Sequence, residues 1–520
     1  MTKPTIIADG IVLTCDATNR CGRYNILVSN GRILSISENL DSLTKEHPDA
    51  TIIDAKDKLI VPGFVNAHYH GESFLLRALT KGAHFGLWEE DAQLSQARNK
   101  LLHSSSYDDV RRIYLAASLA HLRSGTTCVG EFPPLLGEDG FVQMLDAIAS
   151  TGVLGVVALQ NWDQIRKVQS LREKKPKVAV SLGKEKDFTV YSIEKLSQSA
   201  KELKAPLLAH IAEQREDVEV VRNNFQKDIL TLLNSFNAIR RNTILVHANH
   251  TTEEEVMMVK EVGGTVVVCA RSTAAKQTGY PALRHLAKLH VRLCLGTDWG
   301  SVDMIEEMRF MSQLPLIVPG LRVFSSLEIL RMATINGAIA LGLHNELGSI
   351  EVSKHANLTF FNVADIRLPR LHSNSSAEEL AEVIVHDLTS GGVADVMING
   401  EFKVCDGKVV SLSEPDILKE FQSTYEKFIP DTVPSRAQPL QPQAEQTLNV
   451  LPFIADVRSS QDETEGFEAG FPAIPKQATI VEIADTPVNP LVKRPKPNSD
   501  PIRPELPKNT RRVFGDDEEL

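Results

Sequence analysis

The middle of the chain alternates short apolar runs with polar stretches of helical period. PGFVNAHYH, GTTCVGE, GVLGVVAL, KVAVSL, PLLAHIAE, NTILVHA, GTVVVCA and VRLCLGTD read as eight strands. Each precedes a plausible helix, such as SSYDDVRRIYLAASLAHLRS or TEEEVMMVKEVG. Apolar runs of this length bounded by turn residues suit strands buried on both faces. Eight βα units over residues 63–344 match the usual size of a (β/α)8 barrel, so the predicted fold class is α/β with a TIM-like barrel. The pattern alone also permits a doubly wound open sheet.

Both flanks have a different texture. TIIADG-IVLTCD and YNILVSNG-RILSIS place a glycine after Asp9 and Asn30 between β-rich runs, the preferred chemistry of two-residue hairpin turns. The texture returns near 357–411, with Asn399-Gly400 and Asp406-Gly407 at the turns. A small β-sandwich assembled from both chain ends is therefore expected, from residues 1–62 and 345–412. EPDILKEFQSTYEKF reads as a closing helix within 413–430.

From Asp431 the composition changes. Half of the 26 prolines fall in 431–520, with 10 Lys+Arg against 15 Asp+Glu. Such a segment buries too little apolar surface to offset its ordering entropy, which predicts a disordered, acidic, Pro-rich tail. Its apolar islands LNVLPFIADV and ATIVEIADTPVNPLV read as linker, or as places to dock a protein partner.

Bulk properties narrow the function class. At 520 residues, 42% hydrophobic and 24% charged, the chain has an ordinary globular composition. No apolar run is long enough for a membrane span, and the N-terminus lacks a secretory signal, so a cytoplasmic location is expected. A net charge of −11 argues against nucleic acid or an anionic membrane as the partner. The six cysteines, at 15, 21, 128, 269, 294 and 405, include no CxxC pair and read as reduced thiols. Association with copies of itself is left open.

Barrel enzymes carry their chemistry where strands end. The ends here hold His68 and His70 on strand one, His210 on strand five, His247 on strand six and Asp298 on strand eight. Alternation along strand one points His68 and His70 the same way. Taken singly each is weak: a strand-end histidine often serves structure, and Asp298 could cap the next helix. Together, three or four nitrogens and one carboxylate suit a single divalent ion, Zn2+ or Fe2+, with a position left for water. Glu213, three residues past His210, is placed to fold back over that ion and move protons during attack on a substrate.

VPGFVNAHYH, SGTTCVGE, AHIAE, LVHAN, GTDWGS and ATINGAIALGL-HNELGSIEVSKHANLTFF resemble the successive blocks of the amidohydrolase superfamily. The HxxE block after strand five resembles its mononuclear deaminase branch, which includes guanine, cytosine and adenosylhomocysteine-type deaminases and triazine hydrolases. The likeness runs from about residue 5 to 411. It implies a metal-dependent hydrolase of non-peptide carbon–nitrogen bonds that deaminates an amino-substituted heterocycle or amidine with metal-activated water. By the same resemblance His68, His70, His210 and Asp298 ligate the metal, while Glu213, His247 and Asp298 are catalytic. His247 bonds the attacking oxygen, Glu213 shuttles protons, and Asp298 can take the proton of the attacking water.

The chain departs from the family pattern on two substrate-facing loops. After strand four it reads VAVSLGKEKDFTVYSIE, without the Pro-His pair of many deaminases. After strand seven, Cys269-Ala270-Arg271-Ser272-Thr273 replaces a CPxSN-like block. The substrate is therefore expected to differ from those of well-known members. Trp88, His84, Arg271 and Lys276 are candidate substrate-binding residues, with Arg271 or Lys276 meeting an anionic group. Two rival readings remain at this point. One is a binuclear cyclic-amide hydrolase with Lys184 as a carboxylated bridge; the other is a non-catalytic barrel that binds partners through its tail.

Overall fold

The eight apolar runs form one parallel sheet among the described residues. Its strands are β6 (Phe64–Tyr69), β7 (Thr126–Glu131), β8 (Leu154–Leu159), β9 (Lys177–Ser181), β10 (Leu207–Ile211), β11 (Thr243–His247), β12 (Thr265–Val268) and β13 (Arg292–Leu295). They neighbour one another in chain order. A computed structural model describes residues 3–80, 85–88, 91–103, 107–161, 164–166, 177–364, 368, 371 and 374–429, all within the unit Met1–Gln441. His84 and the expected tail, 431–520, lie outside the described residues.

The sheet closes on itself, which decides against an open doubly wound fold. Asp298 N donates to His68 O (2.9 Å) and His70 N to Asp298 O (3.2 Å), bridging the last strand to the first. Val65, Ala67, Val156, Ala158, Leu208, Ile244, Val246, Val267 and Cys294 pack inside the barrel. Alternate residues, such as Leu207, Ala209, Leu245 and Leu293, belong to the larger core outside it. This two-sided burial is why the strands read as continuous apolar runs. Among the described residues, no helix is long and apolar enough to cross a membrane.

The chain ends build a separate nine-stranded sheet among the described residues. It comprises β1 (Thr5–Leu13), β2 (Cys21–Ser29), β3 (Arg32–Ser37), β4 (Thr51–Asp54), β5 (Lys58–Pro62), β14 (Leu358–Asn362), β15 (Val393–Ile398), β16 (Glu401–Cys405) and β17 (Lys408–Val409). β5 and β14 join the two ends, antiparallel from Leu358↔Pro62 to Asn362↔Lys58. The turns Asn30-Gly31, Asn399-Gly400 and Asp406-Gly407 form as expected, each with positive φ at both residues. The sheet curls until two of these turns meet. A side chain at Gly31 would lie 2.9 Å from Asn399 O, and strands from both ends share one core around Ile26, Ile60, Leu358 and Met397.

Asp9-Gly10 is not a hairpin turn, contrary to the expectation. β1 runs through it with a bulge, Asp9 at φ 60°, and the displaced Asp9 N–H donates to Asn25 Oδ1 (3.0 Å). The bulge divides β1 between two partners: Thr5–Ala8 pair with β4, and Ile11 and Val12 with β5. Glycine lets the Ile60 side chain pack close against the bulge, since a Cβ at Gly10 would fall 2.4 Å from Ile60 Cδ1 and oblige that side chain to shift. The closing helix, Glu414–Phe428, is anchored by Thr424 Oγ1 donating to Asp109 Oδ1 (3.0 Å) and by a Lys427–Asp109 ion pair.

The barrel seam leaves no room at Gly296, where a Cβ would lie 2.9 Å from His68 N and 2.8 Å from Val267 Cγ1. Gly296→Ala is expected to cost about 1–3 kcal/mol of stability by overpacking. Thermal unfolding followed by circular dichroism checks this, and a wild-type midpoint would mean that the seam opens without strain.

Candidate metal centre and active site

Local backbone geometry delivers the strand-end side chains to one place. In β6 the register slips between Asn66 and Tyr69, so that His68 within the slip and His70 after it come together beside His210. Asn66 pins this segment to the β13 end: Nδ2 donates to Thr297 Oγ1 (2.7 Å) and Oδ1 accepts from Thr297 N (3.0 Å). Glu131, ending β7, accepts from Gly71 N (2.8 Å) and steadies the turn after His70. His210 follows Leu208 by two residues, so the regular pleat carries it inward.

His247 breaks the pleat. Val246 faces the interior, so a regular strand would turn His247 outward; instead its backbone enters the left-handed region at φ 71°, as does Ala248 at 53°. Ala212 (46°) and Asp298 (54°) do the same beside Glu213 and at the barrel seam. Non-glycine residues rarely adopt this conformation, and its clustering at the barrel mouth is typical of a functional site.

Eight side chains converge there. His68 Nε2 lies 3.2 Å from His70 Nε2 and 3.1 Å from His210 Nε2. Asp298 Oδ1 is 3.5 Å from His68 Nε2 and 3.3 Å from His70 Nε2. Glu213 Oε1 is 3.4 Å from His247 Nε2. Lys276 Nζ spans the two carboxylates, 2.7 Å from Glu213 Oε1 and 2.5 Å from Asp298 Oδ2, and Ser272 Oγ donates to Asp298 Oδ2 (2.5 Å).

The charges follow from burial and these partners. Burial pushes His68 down to about 4 and holds His210 and His247 below the usual imidazole range, leaving neutral rings with lone pairs to offer. For His70 burial is outweighed by Asp298 and Glu72, and the ring is pushed up to about 9. Burial raises the Glu213 carboxyl, but His247 and Lys276 together prevail and keep it ionised. Asp298 is likewise held well below the carboxylate range, chiefly by Lys276 against its own burial.

The donor set fits a divalent cation. His68, His70 and His210 present ring nitrogens within 4.8 Å of one another, and Glu213, His247 and Asp298 form a second such group. His247 Nδ1 and Nε2 and Asp298 Oδ1 are buried without hydrogen-bond partners, a costly state for polar atoms unless a ligand completes them. Imidazole nitrogens with one carboxylate oxygen are the ligand chemistry of zinc and of non-haem iron.

Beside this cluster opens a cavity of about 420 Å³ lined by His70, Glu213 and Asp298 and walled by Phe85, Trp88, Phe132 and Trp299. Trp88 and Lys276 thus border the cavity, although Lys276 is bound to the two carboxylates. Arg271 does not border it: its guanidinium donates to Ser301 Oγ (2.9 Å) and pairs with Glu306. The helix Ala270–Lys276 turns the two side chains different ways. Asp298 caps no helix; Asp303 caps Met304–Ile317. Lys184, which the binuclear reading needs at the metal, stands over the Phe85 ring, 5.0 Å from its centre.

Sequence reasoning missed Phe132, Trp299, Ser272 and Arg98. Phe132 and Trp299 directly follow a strand-end residue, Glu131 and Asp298, and that position was the available signal. Arg98 had none, because it reaches the cavity from the helix Ala92–Leu102.

The sequence profile of the amidohydrolase family matches residues 59–403. The chain is 26% identical to the 5-methylthioadenosine/S-adenosylhomocysteine deaminase of Pyrococcus furiosus, covering 81% of this chain and 100% of the relative. Its fold is similar to that of an adenosine deaminase from Xanthomonas campestris with bound zinc, at TM-score 0.72, 21% identity, and 82% and 98% coverage. It is also similar to atrazine chlorohydrolase from Arthrobacter aurescens complexed with zinc, at TM-score 0.71, 17% identity, and 81% and 100% coverage.

Removing Lys276 would leave two buried carboxylates facing each other. Lys276→Met is expected to cost the metal-free protein about 3 kcal/mol or more, the scale of a broken buried ion pair. Chemical denaturation in chelator checks it; an unchanged midpoint would show that the carboxylates do not depend on this cation.

Proposed function

The chain belongs to the amidohydrolase family, and from that premise we propose that it hydrolytically deaminates an amino-substituted heterocycle or amidine. The observation that carries this reading is the convergence of His68, His70, His210 and Asp298 beside an ionised Glu213 at the mouth of an aromatic cavity. The deaminase names of its relatives support the reaction class, and family membership leaves the scaffold reading without support.

In this proposal His68, His70, His210 and Asp298 hold one divalent ion, which when bound acidifies water and polarises the electrophile. Zinc is favoured over iron because both solved structures named above contain zinc. The Glu213 carboxylate accepts one proton from the attacking water and delivers it to a ring nitrogen, then takes the second proton from the added hydroxyl and delivers it to the amine, which departs as ammonia. Lys276 keeps that carboxylate charged and aimed. His247, neutral through burial, donates toward the oxygen being added. Phe132 and Trp299, whose ring centres lie 5.1 and 6.0 Å from that of His70, form apolar surfaces for the heterocycle and exclude water. A cytoplasmic setting is proposed on the six free cysteines, four of them buried.

Protein purified without chelator is expected to carry about one zinc or iron per chain by elemental analysis, the stoichiometry of a mononuclear site. About two would move the assignment to a binuclear centre. Glu213→Gln is expected to keep that metal and lose roughly 10²–10⁴-fold in ammonia release from amino-heterocycles, the usual share of a general acid–base group. Near-normal turnover would remove Glu213 from the reaction.

A further inference from the structure

Both loops that depart from the family pattern bring a lysine to the same aromatic ring. Lys184 Nζ, after β9, lies 5.0 Å from the centre of Phe85, and Lys276 Nζ, after β12, lies 4.6 Å from it. Arg98 lines the same cavity, with its guanidinium carbon 5.1 Å from the centre of Trp299. Three cations therefore surround a space otherwise walled by aromatic rings.

Their situations differ. Lys276 is neutralised by Glu213 and Asp298. The side chains of Lys184 and Arg98 make no hydrogen bond or ion pair among the described residues; each rests on a ring face. Of the remaining acids that border the cavity, Glu72 lies 3.7 Å from His70 Nδ1 and Asp187 stands exposed at the rim. Burial disfavours the Lys184 ammonium; Glu213 opposes that, while the charges of Lys276 and Arg98 add to it. With Lys276 committed to its two carboxylates, Lys184 and Arg98 are the cations that raise the potential on their side of this partly enclosed, aromatic-walled space, and they attract an anion there. Cation–π contact offsets only part of their lost hydration.

We propose that the cavity selects an amino-substituted heterocycle bearing a carboxylate, which Lys184 and Arg98 grip while the ring lies against Trp299 and Phe132. This rests on the deaminase reading and adds the charge of the substrate. The altered loop after β9 then has a purpose: through Lys184 it replaces neutral recognition of a base by recognition of an acid.

The test uses the full chain loaded with zinc and a matched pair of probes, 2-aminopyrimidine-5-carboxylate and its methyl ester. Binding is read by quenching of tryptophan fluorescence, since Trp88 and Trp299 line the cavity, and turnover separately by ammonia release. The carboxylate is expected to bind at least about tenfold more tightly than the ester, the scale of one charge-assisted hydrogen bond. Lys184→Met and Arg98→Met should each remove most of that preference by weakening the carboxylate far more than the ester. Lys184→Arg should keep it, and unchanged zinc content in each variant shows that the barrel has folded.

Equal binding of the two probes, binding of neither, or variants that weaken both alike would overturn the proposal. Ammonia release with a greater kcat/KM on the ester would overturn it while leaving the deaminase reading intact. A carboxylate preference in binding without ammonia from any amino-heterocycle would sustain the charge assignment and sink the reaction instead.

Discussion

Closure of the barrel at Asp298 is the constraint on which the rest of the molecule depends. Its backbone N–H and carbonyl bond to His68 and His70, so the residue that seals the last strand to the first also fixes the spacing of both histidines. Its side chain meanwhile approaches the ring Nε2 atoms of both histidines and pairs with Lys276. Backbone and side chain of one left-handed residue thus set sheet geometry and site geometry together. Gly296 and the Asn66–Thr297 pair are the local means by which the seam is held that close.

The buried charges share partners: one ammonium serves two carboxylates. A carboxylate with no partner at that depth would protonate, and an unpaired ammonium would release its proton. Lys276 between Glu213 and Asp298 keeps all three charged, and Ser272 adds a donor to Asp298. A proton acceptor is thereby held ready inside a cavity that aromatic rings keep largely apolar. Such prepositioned charge needs no rearrangement when charge develops during reaction.

Much of this was legible in the sequence, for identifiable reasons. The eight strands announced themselves because burial on both faces makes their runs uniformly apolar. His68, His70, His210, His247 and Asp298 were found by reading strand ends in order. Three of four Asx-Gly turns were read correctly, because a two-residue turn is encoded locally. Asp9-Gly10 was misread because its bulge exists to serve two partners, β4 and β5, which lie more than forty residues away. The inward turn of His247 rests on a positive φ that no alternation pattern contains. Arg271 and Lys276 looked equivalent in sequence, yet helix phase and side-chain length send one to Glu306 and the other into the charge cluster.

The pairing of β5 with β14 has a consequence for how the protein is made. β5 leads directly into the first barrel strand, yet its antiparallel partner lies about three hundred residues downstream, a contact of very high sequence separation. At ordinary synthesis rates of about 5–20 residues per second, that edge emerges from the ribosome roughly 15–60 s before its partner. During the interval Leu59, Ile60 and Val61, all fully buried in the finished molecule, face the cell as an unpaired apolar strand edge. Completion of the sheet is therefore a late event in biogenesis, because that edge of β5 has no antiparallel partner until β14 is made.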